Sequence, residues 1–277
     1  MRVRARGLTF DVFAGGPGGG GTVLLLHGFP QNSRSWAGVQ PALWNAGLRT
    51  IAIDQRGYSP GARPDGVEAY RVGEAAADAA AVLDVLGLAD VHVLGHDWGS
   101  LVAWQLAIDR PERVRTLTAV SVAHPAALWR ALDTDPDQRE RFSYANLFRD
   151  GPRAAALLLA DDERRLRRMF AGAGLSEAGI ERYVGPMREP GALLAALRWY
   201  AAMTEKDYVA ACPVTVPTTY IWSDLDLAMG RIAAESCGAW VTADYRFVEL
   251  TGVSHWIPDQ APIALAEAAL ARIRSRP

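Results

Sequence analysis

Apolar and polar positions along the first third of the chain alternate between two rhythms. Val3–Arg6 and Leu8–Ala14 alternate residue by residue around a turn at Gly7, as a strand pair does. Thr22–Leu26 is a continuous apolar run ending in His27-Gly28, which fits a strand buried on both faces. Asn32–Gly47 then carries Trp36, Val39, Leu43 and Trp44 at helical spacing and stops at glycine. The same exchange repeats: Arg49–Ile53 as a strand, Tyr70–Leu86 as an amphipathic helix stopped by Gly87, and Val91–Leu94 as a strand. Ser100–Ile108 reads as a helix ended by Pro111, and Val114–Val122 as a further strand. Short β–α connections of this kind predict an α/β fold, a mostly parallel sheet flanked by helices. Its chemistry then belongs in the loops at the carboxyl ends of the strands.

From position 126 to 211 the rhythm changes. Strand-like runs vanish, and Ala, Arg and Leu recur at helical spacing between Gly-Pro and Pro-Gly breaks. Strands return at Thr218–Trp222 and Arg246–Leu250, and Pro262–Arg274 closes the pattern as a helix. The organisation expected is one core domain, 1–125 and 212–277, interrupted by a helical cap at 126–211.

Composition narrows the function without choosing it. The chain has 277 residues, 29 Lys+Arg against 31 Asp+Glu, and a net charge of −2. That balance removes any global electrostatic case for nucleic acid or an anionic membrane as partner. No apolar run approaches the length of a membrane span, and the start lacks the apolar stretch of a signal peptide, so a cytoplasmic protein is expected. Cys212 and Cys237 lack metal-ligand spacing, and neither metal nor cofactor is expected. The glycine-rich run Gly15–Gly21 lacks the Gly-x-Gly-x-x-Gly arrangement, and no Walker-type lysine accompanies it.

Three strand ends carry candidate chemistry. Gly95-His96-Asp97-Trp98-Gly99 lies between a strand and a helix, with small residues two positions either side of Asp97. A tight strand-to-helix turn needs that spacing to hold its central side chain above the sheet. Thr218–Trp222 runs into Asp224 and Asp226, and Arg246–Leu250 into His255. Nucleophile, acid, histidine is the chain order expected of such a fold.

On these residues the sequence resembles the α/β-hydrolase superfamily, and within it the epoxide hydrolases and their haloalkane dehalogenase relatives. The resemblance spans nearly the whole chain. It rests on His27-Gly28-Phe29-Pro30, Asp54-Gln55-Arg56-Gly57-Tyr58, Gly95–Gly99, Pro111-Glu112-Arg113-Val114, Trp222–Asp226 and Gly252–Trp256. It implies Asp97 as nucleophile, His255 as base, and Asp226 as the orienting acid, with Asp224 the alternative. It further implies that the backbone N–H groups of Phe29 and Trp98 form the oxyanion hole, and it leaves His27 structural. An aspartate in this turn suits displacement at saturated carbon, giving an alkyl ester that activated water then hydrolyses.

The leaving group separates the candidate reactions. An epoxide opens to an alkoxide and needs a proton donor, a task tyrosine can perform. Tyr144, in Tyr-x-x-x-Phe before Gly151-Pro152, and Tyr200, in Trp-Tyr-x-x-Met, resemble the two cap tyrosines of epoxide hydrolases. A halide needs only N–H donors, which Trp98 with Trp129 or Trp199 would supply in the dehalogenase alternative. Fluoroacetate dehalogenation would call for arginines beside the nucleophile, where Trp98 and Leu101 stand. A non-catalytic ligand-binding member of the fold is the third alternative. The expectation is an epoxide hydrolase, monomer or homodimer, taking a small apolar epoxide and water. Trp36, Trp129, Phe148, Trp199 and Trp256 are its candidate pocket residues.

Overall fold

The computed structural model describes residues 1–204 and 212–275. The last stretch of the expected cap, 205–211, lies outside the described residues. Eight strands form one sheet: β1 (Arg2–Ala5), β2 (Leu8–Gly15), β3 (Thr22–Leu26), β4 (Arg49–Ile53), β5 (Val91–His96), β6 (Val114–Val120), β7 (Thr218–Leu225) and β8 (Tyr245–Ser254). Their order is β1-β2-β4-β3-β5-β6-β7-β8. β1 and β2 pair antiparallel, as do β2 and β4, and every later pair is parallel.

Period-two alternation along β3 divides the core. Leu24 and Leu26 pack on one side with α2 (Val72–Val85) and α3 (Trp98–Asp109), whereas Val23 and Leu25 pack on the other. That second side holds Trp36, Leu43 and the closing helix Pro262–Arg274. The predicted helix Asn32–Gly47 is instead a 3₁₀ turn, Ser33–Gly38, followed by α1 (Gln40–Asn45). Pro41 sits in the first turn of α1, where a missing N–H costs nothing, and so restarts the helix there. The helix predicted from Tyr70 begins at Val72, because Arg71 adopts an extended backbone (ψ 146°).

Between β6 and β7 the described residues include the helices α4 (Pro125–Thr134), α5 (Pro136–Arg141), α6 (Tyr144–Arg149), α7 (Gly151–Arg168, broken at Ala160–Glu163), α8 (Glu177–Met187) and α9 (Ala192–Ala202), and an isolated bridge of Val214 to Val241. Beyond β7 come α10 (Arg231–Ser236), α11 (Ile257–Gln260) and α12 (Pro262–Arg274). No helix among the described residues is long and apolar enough to cross a membrane.

Candidate active site

Asp97 occupies the turn from β5 into α3 with φ 55° and ψ −120°, a left-handed conformation that costs a non-glycine residue on the order of 1–3 kcal/mol. Its neighbours permit the turn. A Cβ on Gly95 would lie 2.1 Å from the Gly99 carbonyl oxygen, and one on Gly99 would lie 2.0 Å from that of Leu26. The carboxylate raised by this backbone receives the Phe29 N–H on Oδ1 at 2.8 Å, and the Trp98 N–H bonds the same group. Gly28 clears the approach, since a Cβ there would sit 2.2 Å from Asp97 Oδ1.

His255, just past β8, stands between two carboxylates. Its Nε2 is 3.6 Å from Asp97 Oδ2, and its Nδ1 is 3.0 Å from Asp226 Oδ1. Asp226 is fully buried and also accepts the Ala228 and Met229 N–H groups at 2.8 and 3.1 Å. Burial works against ionisation of Asp97 and Asp226, but His255 overcomes it, and both fall below the ordinary carboxylate range. Burial likewise opposes a charged His255, yet the two carboxylates push it up to about 10. Two carboxylates, one on either side of the imidazole, favour its charged form. Asp224 is directed elsewhere, its Oδ1 accepting the Gly252 N–H at 2.7 Å.

Asp97 and His255 open onto a cavity of about 230 Å³, walled by Phe29, Tyr144, Phe148, Tyr200, Met169 and Trp256. The Tyr144 and Tyr200 rings meet edge to face, 6.1 Å apart. Burial, with the nearby Tyr144 and the charge of Asp97, raises the Tyr200 hydroxyl well above its usual value, and the Trp98 ring packs edge-on against the Tyr200 ring at 5.0 Å. Trp36, Trp129 and Trp199 do not line the cavity. Trp36 is wholly buried on the opposite side of the sheet, because residues after β3 fold back under it. Trp199 faces down from α9 and donates its indole N–H to the Arg56 carbonyl at 2.9 Å. Trp129, in α4, packs partly buried against the main core. His27 is fully buried and ties two loops together, accepting the Gln55 N–H at 3.1 Å.

One residue at the site has no sequence signature. Ser121, one position past β6 and with φ 69°, donates to Asp226 Oδ2 at 2.6 Å and faces His255 Nδ1 at 3.0 Å. Only the pairing of β6 with β7 brings it beside Asp226. Chemically, the array offers a hydrogen-bonded carboxylate, an imidazole ring with a fixed partner, and two tyrosine hydroxyls in an otherwise apolar space.

A family model described as alpha/beta hydrolase fold matches residues 21–262. A Bacillus subtilis protein of the AB hydrolase superfamily is 32% identical over 284 residues, covering 99% of this chain and 97% of its own length. Epoxide hydrolase A of Mycobacterium tuberculosis is 29% identical over 303 residues, with 94% of this chain and 92% of that protein covered. The crystal structure of Epoxide Hydrolase A from Mycobacterium thermoresistibile superposes with a TM-score of 0.86 at 27% identity, over 99% of this chain and 97% of that one.

Proposed function

The chain belongs to the α/β-hydrolase fold family, and from that premise we propose that it hydrolyses small apolar epoxides to vicinal diols. The observation that carries this reading is one cavity in which Asp97 and His255 meet Tyr144 and Tyr200. Relatives at about 29% identity that bear the name epoxide hydrolase support it. In this reading 126–211 is the cap that brings the tyrosines to the nucleophile.

Asp97 attacks one ring carbon, the C–O bond breaks, and the ring oxygen leaves as an alkoxide. Tyr144 and Tyr200 hold that oxygen and give it a proton. Esterification removes one of the two charges that keep His255 protonated. The imidazolium can then return a proton to the tyrosine pair and become a base. Neutral His255, oriented by Asp226 and Ser121, takes a proton from water, and the hydroxide attacks the ester carbonyl. The oxyanion formed on the Asp97 carboxyl is held by the Phe29 and Trp98 N–H groups. Collapse breaks the acyl C–O bond, the departing alkoxide takes the proton of the Asp97 carboxylic acid left behind, and the diol leaves with Asp97 again a carboxylate and His255 again charged. Every proton is accounted for without metal or cofactor.

Halide displacement has weaker support. The indole N–H of Trp199 is given to Arg56, that of Trp256 to the Met169 carbonyl at 3.1 Å, and Phe29 has none to give. A trapping experiment tests the choice. His255→Gln enzyme is incubated separately with styrene oxide and with an alkyl bromide, and the peptide containing Asp97 is weighed by mass spectrometry. An epoxide adduct is expected. An adduct from the bromide alone would establish dehalogenation, and none from either compound would favour a binding protein.

A further inference from the structure

Behind His255, a chain of buried polar groups runs from the strand carrying Asp97 to the helices above the sheet. His96, the last residue of β5, places Nε2 2.8 Å from the His255 backbone carbonyl oxygen and Nδ1 3.1 Å from the side-chain oxygen of Gln31. The Gln31 amide nitrogen lies 2.6 Å from Asp259 Oδ2. From α8, the Tyr183 hydroxyl donates to Asp259 Oδ1 at 2.9 Å. His96 and Gln31 are 0% exposed, so bulk water supplies no missing partner. The other charges acting here are Arg182 on Asp259, and Asp97, Asp226 and His255 on His96.

Both nitrogens of His96 thus face oxygen, and a neutral imidazole has one N–H to give. One contact would set a lone pair against an acceptor. An imidazolium would satisfy both, but burial and the charge on His255 bring His96 down to about 4. Half a turn of the Gln31 amide removes the conflict. Its NH₂ then donates to Nδ1, the Nε2–H donates to the His255 carbonyl, and the Gln31 oxygen faces Asp259. That arrangement sets two oxygens 2.6 Å apart and so requires a proton on Asp259. Burial, opposed by Tyr183, Gln31 and Arg182, pushes Asp259 up to about 6.

We propose that His96 is a positioning residue for His255, and that a proton on Asp259, relayed as hydrogen-bond direction through Gln31, decides whether His96 holds the His255 carbonyl. When Asp259 gives its proton to solvent, its oxygen recruits the Gln31 NH₂ and the amide turns. His96 then exchanges its Nε2 proton for one on Nδ1 and releases the carbonyl. The relay joins four parts of the site: Gln31 follows the Phe29 loop, His96 precedes Asp97, Asp259 follows His255, and Tyr183 belongs to α8. Only its effect on turnover rests on the function proposed above.

Nitrogen-15 spectra of labelled histidine read the tautomer directly, with His96→Gln assigning the signal among five histidines. Below about pH 6 the wild type should carry Nε2–H on His96, and above it Nδ1–H. In Asp259→Asn, whose amide donates to Gln31 and accepts from Tyr183, the Nε2–H form should persist over roughly pH 5 to 8. Gln31→Leu, a second route, should uncouple the tautomer from pH. One unchanging tautomer in the wild type, an imidazolium signal, or an Asp259→Asn protein that titrates like the wild type would overturn the relay. With styrene oxide, wild-type kcat should fall several-fold as pH rises through 6, while that of Asp259→Asn should not, at similar KM. A protein inactive on every epoxide whose tautomer still switches would refute the activity and uphold the relay.

Discussion

At the scale of the residue, the site is governed by what each charge faces. Asp97 stays ionised though buried, because Phe29, Trp98 and His255 all address its two oxygens. Tyr200 stays protonated because its cavity is apolar and the Asp97 charge is near. If the tyrosines deliver the proton, replacing both with Phe leaves a well-packed cavity with no donor. Tyr144→Phe combined with Tyr200→Phe should lower epoxide turnover by about 10²–10⁴-fold, measured as diol formation under saturating substrate. Survival of near wild-type turnover would show that the proton comes from elsewhere. At this scale spacing and chain order pointed to Asp97, His255 and a carboxylate at Asp224 or Asp226, and the family resemblance chose Asp226. It did not point to Ser121, whose role depends on a positive φ and on a neighbour 105 residues away.

At the scale of the element, the turn that carries Asp97 is a contact between backbones. β5 and α3 approach β3 so closely that Gly99 has no room for a methyl group against Leu26. Gly99→Ala should therefore cost about 1–3 kcal/mol, read from urea unfolding, because the neighbour that must move is main chain. A Trp36→Ala change makes the contrast. It should cost about 3–5 kcal/mol, since it opens a large cavity, yet leave the KM of the folded enzyme unchanged. A raised KM would place Trp36 at the pocket after all. Helical spacing between Asn32 and Gly47 was real, but it described two short pieces divided at Pro41. Periodicity finds the buried face and does not see where a missing N–H lets a helix restart.

For the whole molecule, the charged array links catalysis to stability. His255 rises from 6.5 to about 10 on folding. A raised value means its stabilisation is present in full below pH 6.5 and is lost as pH climbs through about 10. Asp97 and Asp226 are lowered, so theirs is present above the ordinary carboxylate range and lost in acid. Calorimetry between pH 7 and about 10 should show the melting temperature of the wild type falling more steeply than that of His255→Gln. Parallel slopes would mean that His255 is not charged in the folded protein. Asp259, raised to about 6, acts in the same direction over a lower range.

The sequence by itself determined the alternation of strands and helices, the nearly parallel sheet, and the placing of an aspartate, a pair of carboxylates and a histidine at three strand ends. Those are local properties, since side-chain period, turn glycines and chain order are written in consecutive residues. Only the tertiary structure decided which aromatic rings wall the cavity. Phe148 and Trp256 reach it, while Trp36 and Trp199 are equally apolar but pack on the far side of the sheet and against Arg56. It likewise decided between Asp224 and Asp226, which a regular strand would set on one face: β7 is irregular between Ser223 and Leu225 and ends there, so Asp226 meets His255 while Asp224 bonds the Gly252 N–H. The Tyr183–Asp259–Gln31–His96 chain belongs to the same class. Its members lie on four elements, and a hydrogen bond between distant segments leaves no pattern in either one.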